Sequence, residues 1–106
     1  MTGVQTCALP ISVEDQPEVF LVSWQIMETN EGSRHFVGYN IHGEGRVSSS
    51  IQTFDKEHML GQTRSGRVYK LKGPPGYNSD ADYVWARWRD INGINSYSVV
   101  TEEVTK

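Results

Sequence analysis

The amino-acid sequence predicts an α+β fold: a curved, mostly antiparallel sheet of about five strands with one amphipathic helix in the C-terminal half. Three observations lead to this prediction. Apolar and polar residues alternate with a period of two in several short segments, which is typical of strands. Turn-forming Gly, Asn and Pro residues separate these segments. One segment, residues 78–92, instead places apolar residues three and four positions apart, so the element order is β-β-β-β-α-β.

The segment Glu18–Met27 predicts the first strand, because β-branched and aromatic residues dominate it. Its even-numbered residues form the more consistently apolar set, so we expect them to face the core. These residues are Phe20, Val22, Trp24 and Ile26. The turn-forming segment Glu28–Ser33 leads to a second strand at Arg34–His42, which predicts a hairpin. A second tight turn, Gly43–Gly45, precedes a third strand at Arg46–Phe54.

The segment Asp55–Gln62 is compatible with one helical turn and equally with a loop. A fourth strand follows at Thr63–Lys72, and two sets of its residues are candidates to face inward. The sets are Gly66, Val68 and Lys70, or Arg67, Tyr69 and Leu71. The second set is the more apolar, although it includes an arginine. Gly73–Gly76 reads Gly-Pro-Pro-Gly and ends the strand, because proline lacks a backbone donor.

The predicted helix begins at Asn78 or Ser79, either of which can cap it, and ends at Asn92 and Gly93. Acidic residues occupy its first turn, where the helix dipole favours them. The apolar stripe consists of Ala81, Val84, Trp85, Trp88 and Ile91. We expect Trp85 and Trp88 to pack on the sheet. Ser96–Thr101 predicts a fifth strand, followed by a charged, frayed tail.

The chain length of 106 residues is that of one domain. The net charge of −3 argues against a protein whose whole surface attracts nucleic acid or an anionic membrane. No run of about 18 apolar residues and no secretory signal pattern is present. We therefore expect a cytoplasmic protein that has no membrane partner.

The first twelve residues, MTGVQTCALPIS, contain no charge and no periodicity. They resemble the in-frame translation of a sequencing-library adapter, as arises in metagenomic data. We therefore treat residues 1–12 as a non-native or disordered leader and residues 13–106 as the single domain. Cys7, the only cysteine, lies in this leader, so thiol chemistry, disulfides and zinc sites are not expected in the domain.

No catalytic, metal or cofactor signature is present, so we expect a protein that is not an enzyme and needs no cofactor. His35, His42 and His58 lack a second ligand at metal-binding spacing. One enzymatic alternative remains open: a small hydrolase or transferase that uses His42, Glu44 and Arg46 around the glycine hairpin. It requires these three side chains to converge in a pocket.

Basic residues concentrate between His58 and Ser79, a segment that has four cations and no carboxylate. With two neighbouring tyrosines they form the candidate binding residues Arg64, Arg67, Tyr69, Lys70, Lys72 and Tyr77. Cations next to aromatic residues on a strand are suited to a nucleic-acid backbone or to an acidic protein surface. The alternative is a solvated sheet edge, since Lys and Arg protect edges against aggregation.

Two motifs carry a resemblance to a protein family: T-R-S-G-R-V-Y-x-L-x-G-P-P-G and D-A-D-Y-V-W-x-x-W. With S-R-H-F-V-G-Y-N and G-E-G-R-V-S-S they make residues 23–103 similar to small proteins of proteobacterial genomes, phages and plasmids. The resemblance implies a small accessory protein of bacterial or mobile-element origin, without implying an activity. It favours binding over catalysis, with another protein as the expected partner and nucleic acid as the alternative.

Overall fold

The computed structural model describes residues 18–105, so the predictions made for the N-terminal leader lie outside the described residues. Within this range the chain is α+β, as predicted, but it has seven strands and two helices where five strands and one helix were expected. The elements are β1 (Glu18–Thr29), β2 (Arg34–Tyr39), β3 (Gly45–Val47), β4 (Ile51–Asp55), β5 (Leu60–Thr63), β6 (Val68–Leu71), α1 (Ser79–Asn92), β7 (Tyr97–Val99) and α2 (Thr101–Thr105).

The strands form a mixed sheet in the order β3-β2-β1-β6-β5-β4, and β7 also pairs with β1. β1 and β6 run parallel, whereas the other strand pairs are antiparallel. β2 occupies one edge of β1, so β4, β5 and β6 join at the opposite edge, where β6 runs in the direction of β1. The expected antiparallel character is therefore correct for most of the sheet and wrong at its centre.

The sheet is strongly curved. In a flat sheet of this order β2 and β4 would lie about 19 Å apart, because adjacent strands are about 4.8 Å apart. The ring of Phe36 in β2 nevertheless lies 5.9 Å from the ring of Phe54 in β4 and 5.6 Å from that of Tyr69 in β6. The sheet therefore curls around these rings, and it remains open between β3 and β4.

The predicted third strand, Arg46–Phe54, is divided into two strands by Ser48–Ser50. The N–H of Ser48 donates to the carbonyl of Phe36 at 2.9 Å, and the carbonyl of Ser50 accepts from the N–H of Arg64 at 2.8 Å. The chain thus changes its partner from β2 to β5 within three residues, which ends β3 and begins β4. The alternation of apolar and polar residues in the sequence does not indicate this change of pairing partner.

The segment Asp55–Gln62 contains the end of β4, a turn and the start of β5, and no helix. The predicted strand Thr63–Lys72 is confirmed for β6, whereas its first part forms the β5–β6 turn. The inward-facing set is the more apolar one, Arg67, Tyr69 and Leu71, with exposures of 3%, 1% and 6%. The more apolar of the two predicted residue sets is therefore the one that faces inward in β6.

β1 contains a β-bulge, in which Ser23 and Trp24 lie opposite a single residue of β2, Gly38. Ser23 adopts a φ of 46°, in the left-handed region that favours glycine. A bulge adds one residue to one strand and shifts its side chains to the opposite faces beyond that point. The side chains of β1 that face the inside of the curl therefore change from odd-numbered to even-numbered positions.

The bulge corrects the predicted inward set of β1. The side chains buried on the inner face are Val19 and Leu21 before it, and Trp24 and Ile26 after it. Phe20 and Val22, which were expected in the core, lie on the outer face instead, and Val22 is 44% exposed. The alternation predicted from the sequence is correct only beyond Ser23.

Apolar residues pack on both faces of the sheet. The inner face, inside the curl, carries Val19, Leu21, Trp24, Ile26, Phe36, Tyr69, Leu71 and Val100. On the outer face, α1 packs on β2 and β3. This second cluster consists of Met27, Val37, Val47, Ala81, Trp85, Trp88 and Ile94. α1 thus covers one half of the outer face together with Met27 of β1, and within residues 18–105 it leaves the half formed by β5, β6 and the N-terminal part of β1 uncovered.

α1 has the predicted caps. The side chain of Asn78 accepts a hydrogen bond from the N–H of Ala81 at 2.6 Å, and Gly93 ends the helix with a φ of 69°. Trp88 packs on the sheet as expected, whereas Ile91 is 65% exposed. Successive residues are 100° apart, so Ile91 lies about 60° from Trp88 around the axis, at the margin of the buried face.

The C-terminal part contains the predicted fifth strand as β7, and the expected frayed tail instead contains α2. Thr101 anchors this region, because its Oγ1 accepts a hydrogen bond from the N–H of Ile26 at 3.0 Å. The adjacent Val100 N–H donates to the carbonyl of Ile26 at 2.8 Å. Among residues 18–105, neither helix is long and apolar enough to cross a membrane.

Candidate binding surface

The uncovered half of the outer face carries an aromatic ring flanked by two lysines. Phe20 in β1 is directly paired with Lys70 in β6, so both side chains project from the same face. The Nζ atoms of Lys70 and Lys72 lie 5.7 Å and 5.2 Å from the centre of the Phe20 ring. Both distances are within the range of a cation–π contact. We call Phe20, Val22, Lys70 and Lys72 the outer patch.

The electrostatics of the outer patch are positive with one acidic neighbour. The Nζ of Lys70 lies 3.2 Å from a carboxylate oxygen of Glu18, and both side chains are partly exposed, which makes this a weak surface ion pair. Lys72 is exposed, and the salt bridges found among residues 18–105 do not include it. The patch therefore combines apolar area with a cation that an acidic partner can reach.

The structure places two of the predicted binding residues, Lys70 and Lys72, next to each other on the outer face, and two others on the inner face. Arg67 and Tyr69 lie on the opposite face of β6, where they are buried. The alternation of strand side chains explains this separation. Nε of Arg46, from β3, donates to the hydroxyl of Tyr69 at 3.1 Å inside the curl.

The remaining two predicted residues lie at separate places. Arg64 is exposed in the β5–β6 turn, at the opposite end of β6 from Lys72. Tyr77 follows the Gly-Pro-Pro-Gly segment and is 66% exposed beside Val99 and α2. The basic run of the sequence is therefore not one continuous surface in the fold.

The residues of the enzymatic alternative occupy the β2–β3 hairpin. The side-chain oxygen of Asn40 accepts hydrogen bonds from the N–H groups of His42 and Glu44, which organises the turn. His42 and Glu44 are exposed there, whereas Arg46 is 4% exposed and projects into the interior. The three side chains thus do not converge in a common pocket.

His35 is a buried histidine whose two ring nitrogens both have partners. Burial lowers its pKa, so the ring is neutral near pH 7. Nδ1 must donate to the carbonyl of Ser48, 2.9 Å away, and Nε2 therefore accepts from the hydroxyl of Ser33 at 2.9 Å. The ring also packs against Trp88 with centroids 4.4 Å apart. These contacts and its burial give His35 a structural role in the core.

Two further titratable groups have shifted pKa values on the surface. A hydrogen bond from His58, at 2.8 Å, lowers the pKa of the Asp55 carboxyl. The hydrogen bond that Tyr39 donates to Asp80 raises the pKa of the Tyr39 hydroxyl. Both pairs lie on the surface. Within residues 18–105, no group of three His, Cys, Asp or Glu side chains is arranged to hold a metal ion.

Sequence reasoning missed Phe20 and Val22 as surface residues. Their apolar character and the alternation of the strand both indicated the core. No local signal marks them as outward-facing, because the polar Ser23 belongs to the odd-numbered set that the alternation already places outward. No protein-family model, curated protein or solved structure matches the chain.

Proposed function

We propose that the chain is a small cytoplasmic accessory protein, of bacterial or mobile-element origin, that acts by binding another protein through the outer patch. The observation that carries the proposal is the placement of two lysines over Phe20 on the half of the sheet that α1 leaves uncovered. Protein interfaces commonly have an aromatic centre with a charged rim.

The chemistry of the patch favours an acidic partner surface. Carboxylates of the partner would pair with Lys70 and Lys72, while an apolar side chain would cover Phe20 and Val22. Covering Val22, which is 44% exposed, removes apolar area from water, and the charge pairs add specificity and a faster association rate. Glu18 beside Lys70 would repel carboxylates at one margin, which directs the partner toward Lys72.

Single-stranded nucleic acid is the second candidate partner. An aromatic side chain between cations on a strand can stack with a base while the cations contact phosphates. The net charge of −3 and the position of Glu18 beside the patch favour the protein partner. The two candidates differ in their dependence on salt, because phosphate contacts release counterions.

Site-specific photo-crosslinking in bacterial cells tests the proposal. A photoreactive phenylalanine at Val22 should capture a partner protein, which mass spectrometry then identifies, and the same group at the exposed Gln52 should not. The double variant Lys70→Glu/Lys72→Glu should abolish capture at position 22. Lys56→Glu, which changes an exposed lysine in the β4–β5 turn, should retain it.

Nucleic acid is tested in the same variants by titrating fluorescent mixed-sequence single-stranded DNA and RNA at two salt concentrations. Salt-sensitive binding that Lys70→Glu/Lys72→Glu abolishes would replace the protein partner with nucleic acid. Capture at position 22 that survives the double variant would show that the outer patch is not the binding surface.

A further inference from the structure

A groove separate from the outer patch lies between the Gly-Pro-Pro-Gly segment, β7 and α2. It is an open cavity of about 510 Å³. Among residues 18–105 its lining includes Pro75, Tyr77, Val99, Glu102 and Glu103. Apolar walls and two carboxylates are therefore present in one concave place, and this described lining contains no lysine or arginine.

Tyr77 is the most exposed aromatic side chain of this groove, and the fold holds its backbone at both sides. The indole Nε1 of Trp24 donates to the carbonyl of Gly73 at 3.1 Å, and the N–H of Gly76 donates to the carbonyl of Trp24 at 3.1 Å. On the other side, the side-chain Nδ2 of Asn78 donates to the carbonyl of Ser23 at 3.2 Å. The segment that carries Tyr77 is thus tied to the bulge of β1.

The ring of Tyr77 itself has no role in the packing of the described residues. It is 66% exposed, and within residues 18–105 it makes no hydrogen bond, ring stack or cation–π contact. Exposed Tyr83 on α1 differs, because Arg87 lies over its ring and donates to its hydroxyl. The backbone on both sides of Tyr77 is held and a tyrosine side chain has only two rotatable bonds, so stacking of a ligand on this ring costs little conformational entropy.

The charges around Tyr77 select a cationic ligand. Glu102 and Glu103 are exposed on α2, and Val99, 52% exposed, and Pro75 supply apolar contact. The face of an aromatic ring attracts cations, and arginine uses this contact more often than lysine. The guanidinium is planar, so it can stack flat on the ring while its N–H groups donate to a carboxylate, whereas a lysine ammonium can approach the ring face but cannot stack on it.

We propose that this groove binds an arginine side chain of an extended partner segment, stacked on Tyr77 and paired with Glu102 or Glu103. The groove is acidic and the outer patch is basic, so the two surfaces take ligands of opposite charge. The inference therefore stands independently of the function proposed above.

The test uses the peptide acetyl-Gly-Arg-Gly-Arg-Gly-amide and its citrulline counterpart, which keeps the shape of arginine and removes the charge. Amide chemical shifts of the isotope-labelled 106-residue protein are recorded during titration at low salt. We expect shifts at Tyr77, Val99 and Glu102 with the arginine peptide and none with the citrulline peptide. A lysine peptide should bind several-fold more weakly.

Matched variants assign the contact. Tyr77→Ala should weaken arginine-peptide binding about tenfold, as expected for loss of a cation–π contact and its stacking area, whereas Tyr77→Phe should retain most of it. Tyr83→Ala and Glu31→Gln remove an exposed tyrosine and an exposed carboxylate elsewhere and should leave binding unchanged. Equal binding of the citrulline peptide, equal affinity of Tyr77→Ala and Tyr83→Ala, or no binding at low salt would overturn the proposal.

Discussion

Gly38 and Trp24 approach each other so closely across the bulge that even a methyl group on Gly38 would make unusually tight contacts. A Cβ added to Gly38 would lie 3.0 Å from the Cα of Trp24 and 3.1 Å from its Cβ. It would also lie 3.1 Å from the carbonyl oxygen of Val22. Two of these three neighbours are backbone atoms, so a flexible side chain cannot relieve the contact by rotating away.

We predict that Gly38→Ala lowers the free energy of unfolding by about 1–3 kcal/mol, the usual cost of overpacking. Gly76→Ala is the matched control, since its Cβ would approach no atom nearer than 3.7 Å and its φ is not positive. We expect no destabilisation there, because alanine restricts the unfolded chain. Urea unfolding followed by circular dichroism compares the two variants, and equal stability would show that β1 and β2 separate easily at the bulge.

Substitution of Trp88 tests how much the core beneath α1 contributes to stability. Trp88 is 6% exposed and stacks on Trp85 with ring centres 5.1 Å apart. We predict that Trp88→Ala lowers the free energy of unfolding by about 3–5 kcal/mol, as truncation of a buried aromatic residue does. Tyr83→Ala on the same helix, where the ring is 62% exposed, should change it little. A thermal unfolding curve of Trp88→Ala equal to that of the wild type would contradict the position of α1 on the sheet.

The predictable parts of this fold are those that depend on local patterns. The caps of α1 at Asn78 and Gly93 and the inward register of β6 follow from residue type and period. The parallel pairing of β1 with β6 depends on contacts between distant parts of the chain, which no local period encodes. The reversal of alternation at Ser23 is also a tertiary feature, because the bulge forms against Gly38 and the Asn78 segment.

The candidate site was predictable only in part for the same reason. The charge run contains Lys70 and Lys72, but a run of residues on one strand is divided between two faces. Arg67 and Tyr69 therefore share the chain segment and lie in the interior. Phe20 is more than 40 residues away from Lys70 in sequence and becomes its neighbour only through the β1–β6 pairing.

Buried, neutral His35 predicts a pH dependence of stability. Its folded-state pKa is lowered from 6.5, so between that value and the folded-state pKa the unfolded chain binds a proton that the folded chain does not. Stability is therefore fully present above about pH 6.5 and falls as the pH drops through this window. The lowered pKa of Asp55 contributes at lower pH, below its ordinary value of 3.8.

Urea unfolding at pH 7 and pH 5 measures this effect. We expect the wild type to lose stability between the two values and His35→Asn to lose less, whatever its stability at pH 7. His42→Gln, which removes an exposed histidine of the β2–β3 turn, should retain the dependence of the wild type. If the free energy of unfolding fell by the same amount between pH 7 and pH 5 in the wild type and in His35→Asn, the pH dependence would belong to another titratable group.

The bulge itself can be tested at Ser23, whose φ of 46° lies where side chains are unfavourable. Ser23→Gly removes this conformational cost in the folded state. Glycine also raises the conformational entropy of the unfolded chain, which offsets part of the gain, so we predict a free energy of unfolding up to about 1 kcal/mol higher. Ser23→Val should lower it by about 1–2 kcal/mol, because a β-branched side chain is least compatible with positive φ.

Gln25→Val provides the control for these two variants. It introduces the same side chain two residues further along β1, at a position whose φ is not positive, and valine favours strands. We expect its stability to equal that of the wild type or exceed it. If Ser23→Val were as stable as Gln25→Val, β1 would be able to run through position 23 as a regular strand. Its alternation would then not reverse, and Phe20 and Val22 would face the core as the sequence pattern predicts.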